Sequence, residues 1–264
     1  EFEATDYLAV GPFRVVRVPV GETEVRLAVP QDETDVSPDT VRRLVQGARS
    51  IVRAPLPGAG VLSVIVVPPH FMRGGTAGER TVVQPAWPEV LAHEIFHWWN
   101  SSALTGDEAA WFREGFSEYY GIRIARRAHV FSAEEETACL ADLAAEMRYL
   151  ESAHGVSLGD ASGVFEEPHA RRLVYAKGAL YAYLLEQRLL AHDRRLDEVM
   201  RAVFAERRGG LGNDDLLAVF HRVYDGFADP SFRAYVMRGE RLPDLALPPA
   251  TGQSGCARYL PPRR

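Results

Sequence analysis

His93-Glu94-Ile95-Phe96-His97 is the stretch on which the reading of this chain turns. On an α-helix, positions i and i+4 lie about 400° apart, so His93 and His97 project from one face, one turn apart. Two imidazoles so placed can bind a single Zn²⁺, and Glu94 beside them can reach a water on the metal as a base. The surroundings predict a helix. Pro88 suits a first turn, and Val90, Leu91, Ile95 and Phe96 supply apolar contacts without an interior Gly or Pro. The competing reading is a buried helix whose two His are satisfied by hydrogen bonds.

Catalytic zinc takes three protein ligands and keeps a fourth position for water. After a polar stretch comes the run Trp111-Phe112-Arg113-Glu114-Gly115-Phe116-Ser117-Glu118-Tyr119-Tyr120, which reads as a second helix and puts sixteen residues between His97 and Glu114. Glu114 is its candidate ligand, with Glu108 as the fallback. Ser101, Ser102, Thr105, Gly106 and Asp107 form a turn-like link, so the two helices can pack as a hairpin. Glu118, at i+4 from Glu114, shares its face and could receive the free ring N–H of a ligand His; the alternative is a solvated helix charge.

His-Glu-x-x-His followed by Trp-x-x-Glu-Gly-Phe resembles the gluzincin metallopeptidases. The endings His97-Trp98-Trp99-Asn100 and Glu114-Gly115-Phe116 through Tyr119-Tyr120 look most like the glycyl aminopeptidase family, with the aminopeptidase N family second. The link from His97 to Glu114 is shorter than aminopeptidase N relatives usually have. Both families carry a Tyr-x-Lys/Arg-Gly segment, matched here by Tyr175-Ala176-Lys177-Gly178. By that resemblance Tyr175 hydrogen-bonds the oxyanion of the tetrahedral intermediate, a role that suits a neutral phenol donor. Read from the residues alone, Tyr175 is an amphipathic helix position. Lys177 is the only lysine in the chain.

The resemblance also implies an α+β, thermolysin-like fold: an N-terminal mixed β-lobe, then a mostly helical lobe, with the zinc helix at their junction. Strand signals at 13–20, 24–29, 61–67 and 81–84 surround one helical segment near 39–53. From about 86 the pattern is helical, near 87–100, 108–128, 133–152, 170–191, 195–207, 213–225 and 229–238. The expected organisation is a β-rich lobe over 1–85, a helical lobe over 86–242, and an irregular tail over 243–264. Gluzincins line their cleft with an edge strand, and Thr81 to Gln84 after the Gly-rich segment occupies the matching position. Gly74 and Gly75 would let substrate backbone approach. The Gly-x-Met-Glu-Asn motif by which aminopeptidase N relatives hold a substrate amine is absent, and Glu79 is the candidate replacement.

The remaining bounds are broad. A net charge of -6 argues against nucleic acid as a partner; peptide is the partner that the resemblance implies. No run of about 18 apolar residues exists, so no membrane span is expected. Residues 1–7 lack the apolar centre of a signal sequence and read as the start of a mature chain, favouring a secreted or periplasmic location over the cytoplasm. Cys139 and Cys256 have no zinc-site spacing; they could pair in an oxidising compartment, with two free thiols the preferred reading. His154 and His169 read as surface histidines. The function expected is that of a zinc metallopeptidase with one Zn²⁺ per chain, an aminopeptidase by resemblance. Another zinc hydrolase on the same scaffold, an endopeptidase for instance, and a non-catalytic binding domain stay open.

Overall fold

The computed structural model describes residues 11–31, 36–53, 61–68, 70–72, 74–78, 80–101, 104–153, 156–206, 209–252, 254 and 256. Glu79 and His154 lie outside the described residues. The chain divides into two compact units, Glu1–Ser101 with Tyr120–Ala133, and Ser102–Tyr119 with Glu134–Arg264.

The first unit is built on a five-stranded mixed sheet in the order β1-β2-β3-β5-β4. β1 (Phe13–Val20) and β2 (Thr23–Pro30) form an antiparallel hairpin, turned at Gly21 with φ +62. Alternation on β2 buries Val25, Leu27 and Val29 and leaves Arg26 exposed, as one covered sheet face requires. α1 (Pro38–Val52) then crosses over to β3 (Val61–Val67), parallel to β2. Ser37 caps α1, its Oγ accepting from Thr40 N at 3.1 Å. Val41, Leu44, Val45, Ala48 and Val52 bury one helix face at the i, i+3, i+4 spacing, each worth roughly 1.5–3 kcal/mol for the larger side chains.

β5 (Thr81–Pro85) pairs parallel to β3, and the two-residue β4 (Thr76–Ala77) folds back antiparallel on its far side. The outer strand is therefore β4, not the Thr81–Gln84 segment expected there. The turn that brings it back is closed by Gly78 N donating to Thr81 O at 2.7 Å, and Thr81, Val82, Gln84 and Pro85 are buried as an interior strand demands. β5 leads through Ala86 and Trp87 directly into α2 (Pro88–Phe96).

The second unit is helical. A 3₁₀ turn (Asp107–Ala109) and a π-helical turn (Trp111–Phe116) precede α3 (Ser117–Arg127), of which Tyr120 onward belongs to the first unit. α4 (Ala133–Ala153), α5 (Leu158–Gly163), α6 (Pro168–Leu190), α7 (Leu196–Ala205), α8 (Asn213–Tyr224) and α9 (Asp229–Phe232) follow. Their core is aromatic: Trp111 lies 5.5 Å from Phe116 and from Phe232, and 5.9 Å from Tyr181, ring centre to ring centre. Burial pushes the Tyr181 phenol well above its ordinary pKa, so it stays neutral. Two short elements, β4 and α5, have no counterpart among the expected ones.

Residues 238–252 carry no regular helix or strand. Lys177, 1% exposed, donates from Nζ to Glu240 O at 2.9 Å. Asp142 on α4 accepts from Gly252 N (2.8 Å), Ser254 N (3.2 Å) and Ser254 Oγ (2.6 Å). Cys139 sits one turn before Asp142, and the turn that satisfies Asp142 delivers Cys256 to it. The two cysteines form a disulfide, with Cα atoms 5.3 Å apart, contrary to the expected free thiols. The bond closes a sequence separation of 117 residues, which in the chain-entropy account stabilises by about 2–5 kcal/mol. Reduction, or Cys139→Ser with Cys256→Ser, should lower the unfolding free energy by that amount in equilibrium denaturation; an unchanged midpoint would deny the bond a stabilising part.

Candidate metal centre

His93 and His97 stand where the end of a short helix puts them. α2 stops at Phe96 rather than running to 100: Trp98 N bonds Ile95 O at 3.2 Å and Trp99 N bonds Phe96 O at 3.0 Å, tightening the last turn. That turn carries the Asn100 carbonyl back to His97, whose Nδ1 lies 2.9 Å from Asn100 O. A carbonyl can only accept, so Nδ1 carries the proton and Nε2 offers its lone pair. This Nε2 lies 3.0 Å from His93 Nε2. Two imidazole nitrogens thus converge on one point, as ligands of one ion do. Both His are buried, at 6% and 8% exposure. Asn100, known from the sequence only as part of the family-like ending, contributes its main chain.

Two glycines close in on this helix. A Cβ at Gly121 would lie 3.0 Å from His93 N and Cα, so α3 approaches α2 at the ligand itself. A Cβ at Gly75 would lie 2.4 Å from Glu94 Cγ and Oε1. The Glu94 side chain, 5% exposed, therefore rests against bare backbone just ahead of β4. Gly74, by contrast, has nothing within 4 Å of such a position.

In the second unit, Glu114 lies inside the π-helical turn, a feature with no sequence signature. Its carboxylate is held on both oxygens: Arg113 Nε donates to Oε1 at 3.0 Å, and the Tyr175 hydroxyl donates to Oε2 at 2.8 Å. The glycines of the two motifs explain the meeting. A Cβ at Gly115 would fall 2.5 Å from Gly178 Cα, and one at Gly178 would fall 2.9 Å from Gly115 Cα. The π turn and α6 thus cross backbone to backbone, and Tyr175, one turn before Gly178, arrives at Glu114. Phe165 stacks against Tyr175 at 6.2 Å between ring centres, and Arg171 lies over Phe165 at 5.4 Å. Arg113 and Phe165 were not among the expected site residues; nothing in their spacing marks them.

Glu108 is engaged elsewhere, its Oε1 accepting from Asn213 N at 2.8 Å at the start of α8. Glu118 is buried, at 5% exposure, which excludes the solvated-charge reading. Among the described residues, one ligand atom from each of His93, His97 and Glu114 lies within 4.8 Å of the others, forming a group able to hold a metal ion. Two neutral imidazole nitrogens and a carboxylate oxygen are a donor set that suits catalytic zinc.

No protein-family model matches the chain, and no curated protein matches it in sequence. Solved structures do match in fold. An aminopeptidase N family protein from Idiomarina loihiensis superposes with a TM-score of 0.75 at 16% identity, over 88% of this chain and 48% of its own. The M1 zinc metallopeptidase from Deinococcus radiodurans gives 0.71 at 21% identity, over 91% of this chain and 55% of its own. LTA4 hydrolase from yeast gives 0.65 at 18%, over 88% and 40%. The chain spans about half the length of the first of these. Over that span, a mixed sheet followed by helices and a His-His-Glu metal group, this chain has the fold of the M1 zinc metallopeptidases.

Proposed function

We propose that this chain is a zinc-dependent metallopeptidase that hydrolyses peptide bonds, acting as an aminopeptidase on a thermolysin-like scaffold. The observation that carries the reading is the group of His93, His97 and Glu114, with Glu94 between the two histidines and Tyr175 on the third ligand. The fold likeness supports it, and the Deinococcus radiodurans enzyme has been solved in an E-to-A variant form bound to a Tyr-Ser-Ala substrate.

His93 Nε2, His97 Nε2 and one Glu114 oxygen would hold the ion. Zinc bound there supplies Lewis acidity, bringing the pKa of a water toward neutrality and polarising the scissile carbonyl. Glu94 accepts the water's proton and returns it to the leaving amine. Tyr175 donates its hydroxyl to the carbonyl oxygen as negative charge develops there. Substrate backbone runs beside β4, the outer strand, where Gly74 and Gly75 admit it and Glu94 lies close. Glu118 orients His93 by accepting its free ring N–H, while the Asn100 carbonyl orients His97. The substrate amine falls to Glu79 in this reading. The disulfide supports a secreted or periplasmic location, where such bonds persist.

The test is cleavage of aminoacyl-anilides against N-blocked peptides, with and without chelator, alongside zinc content. Chelator-sensitive cleavage of the free-amine substrates is expected. Preference for blocked peptides would make the chain an endopeptidase, and no cleavage with full zinc would leave a binding domain. Tyr175→Phe should lower kcat by about a hundredfold or more, since one such donor contributes about 3 kcal/mol to the transition state. An unchanged kcat would remove Tyr175 from the mechanism.

A further inference from the structure

Glu114 spends both oxygens on donors from its own unit, and the two donors are not alike. Arg113 is the preceding residue in the same π turn; its side chain is 14% exposed, and its guanidinium is permanently charged and can only donate. Tyr175 comes from α6, is neutral, and carries a single O–H proton. That proton now points at Glu114 Oε2. In the function proposed above, the same proton is needed on the substrate oxygen, and one O–H cannot serve both. The bond to Oε2 must break before that proton can reach substrate.

Resting on that functional reading, we propose that Glu114 divides its carboxylate between two tasks. Arg113 is the positioning residue that keeps Oε1 and fixes the plane of the carboxylate. Oε2 would be the oxygen that holds the metal, and its loss as an acceptor would release Tyr175 for substrate. Tyr175 is then withheld from catalysis until the ligand set is complete, and an unloaded chain keeps its third ligand neutralised and hydrogen-bonded rather than bare. The two donors act on metal affinity with opposite sign. The Tyr175 bond stabilises the unloaded state and must be given up; the Arg113 bond persists and orients the ligand.

Zinc affinity is the readout, measured by competition with a chromophoric chelator for the full chain, Tyr175→Phe and Arg113→Gln, with folding checked by circular dichroism. Tyr175→Phe should bind zinc about tenfold tighter than the parent, as loss of a net-stabilising bond to a charged group in the unloaded state predicts. Arg113→Gln should bind about tenfold or more weaker, the usual consequence of losing a group that orients a ligand. Tyr175→Phe binding zinc no tighter than the parent overturns the release of Tyr175, and Arg113→Gln binding as tightly as the parent overturns the positioning role. A parent chain that takes zinc while both variants match it defeats this inference alone. A parent chain that takes no zinc defeats the metallopeptidase reading and this inference with it.

Discussion

Glu94→Gln is expected to lower kcat by a factor of about 10²–10⁴ while the protein keeps one zinc per chain. The substitution is nearly isosteric, which matters here because Glu94 Cγ and Oε1 rest where a Gly75 Cβ would stand, 2.4 Å away. A side chain of different shape would confound loss of the base with movement of its surroundings; Gln does not. Glu94 is also outside the group of three ligands, so metal content should not change. An amide cannot accept the water's proton, and the loss should fall on kcat with KM little altered. Zinc per chain and steady-state kinetics measure both. A Glu94→Gln protein with the parent kcat would remove the base and the hydrolytic reading together.

How much of this was legible in the sequence differs between the parts. The strands and α1 were legible because their burial is periodic: Val25, Leu27 and Val29 alternate, and Val41, Leu44, Val45 and Ala48 repeat at helical spacing. Local periodicity does not say which strand lies outermost. A two-residue strand such as Thr76–Ala77 has no period at all, so the sequence pattern puts Thr81–Gln84 at the outer position where the structure has β4. The disulfide fails for the same reason at longer range. Its pairing is decided by Asp142 gathering the returning chain, and Asp142 is one ordinary helical carboxylate among many.

For the candidate site, the three residues that the structure groups as able to hold a metal, and Glu94 beside them, stood out in the sequence because the proposed chemistry demands particular residue types at particular spacing. The means of positioning them did not. The π turn around Glu114 breaks the assumption of a regular helix over 108–128, and Arg113 is recognisable as a partner only once that turn is seen. The glycines of the two motifs do carry such a signal. Gly115 and Gly178 follow Glu114 and Tyr175 closely in the two motifs, and a glycine inside a helix disfavours it by roughly 0.5–1 kcal/mol against alanine unless close approach uses the missing side chain. Two helical glycines, each near a candidate site residue, were a sign that these two segments touch.

Gly75→Ala follows from the same physics and should be nearly as damaging to turnover as loss of the base. The added Cβ would stand 2.4 Å from Glu94 Cγ and Oε1, where ordinary van der Waals contact begins at 3.4 Å. Something must move by about the difference, roughly 1 Å, and misplacement of that size costs about a hundredfold in rate. What moves is decided by stiffness. The obstructing atoms belong to the end of a Glu side chain that can rotate, whereas Gly75 leads directly into β4, held by its pairing with β5. The side chain gives way, so thermal stability should change little and kcat should fall by about a hundredfold or more. The competing role of Gly75, admitting substrate backbone, predicts a different pattern: KM would rise and kcat would hold. Steady-state kinetics on Gly75→Ala therefore separates the two, and a variant with the parent kcat and KM would show that Glu94 has room to yield without losing its aim.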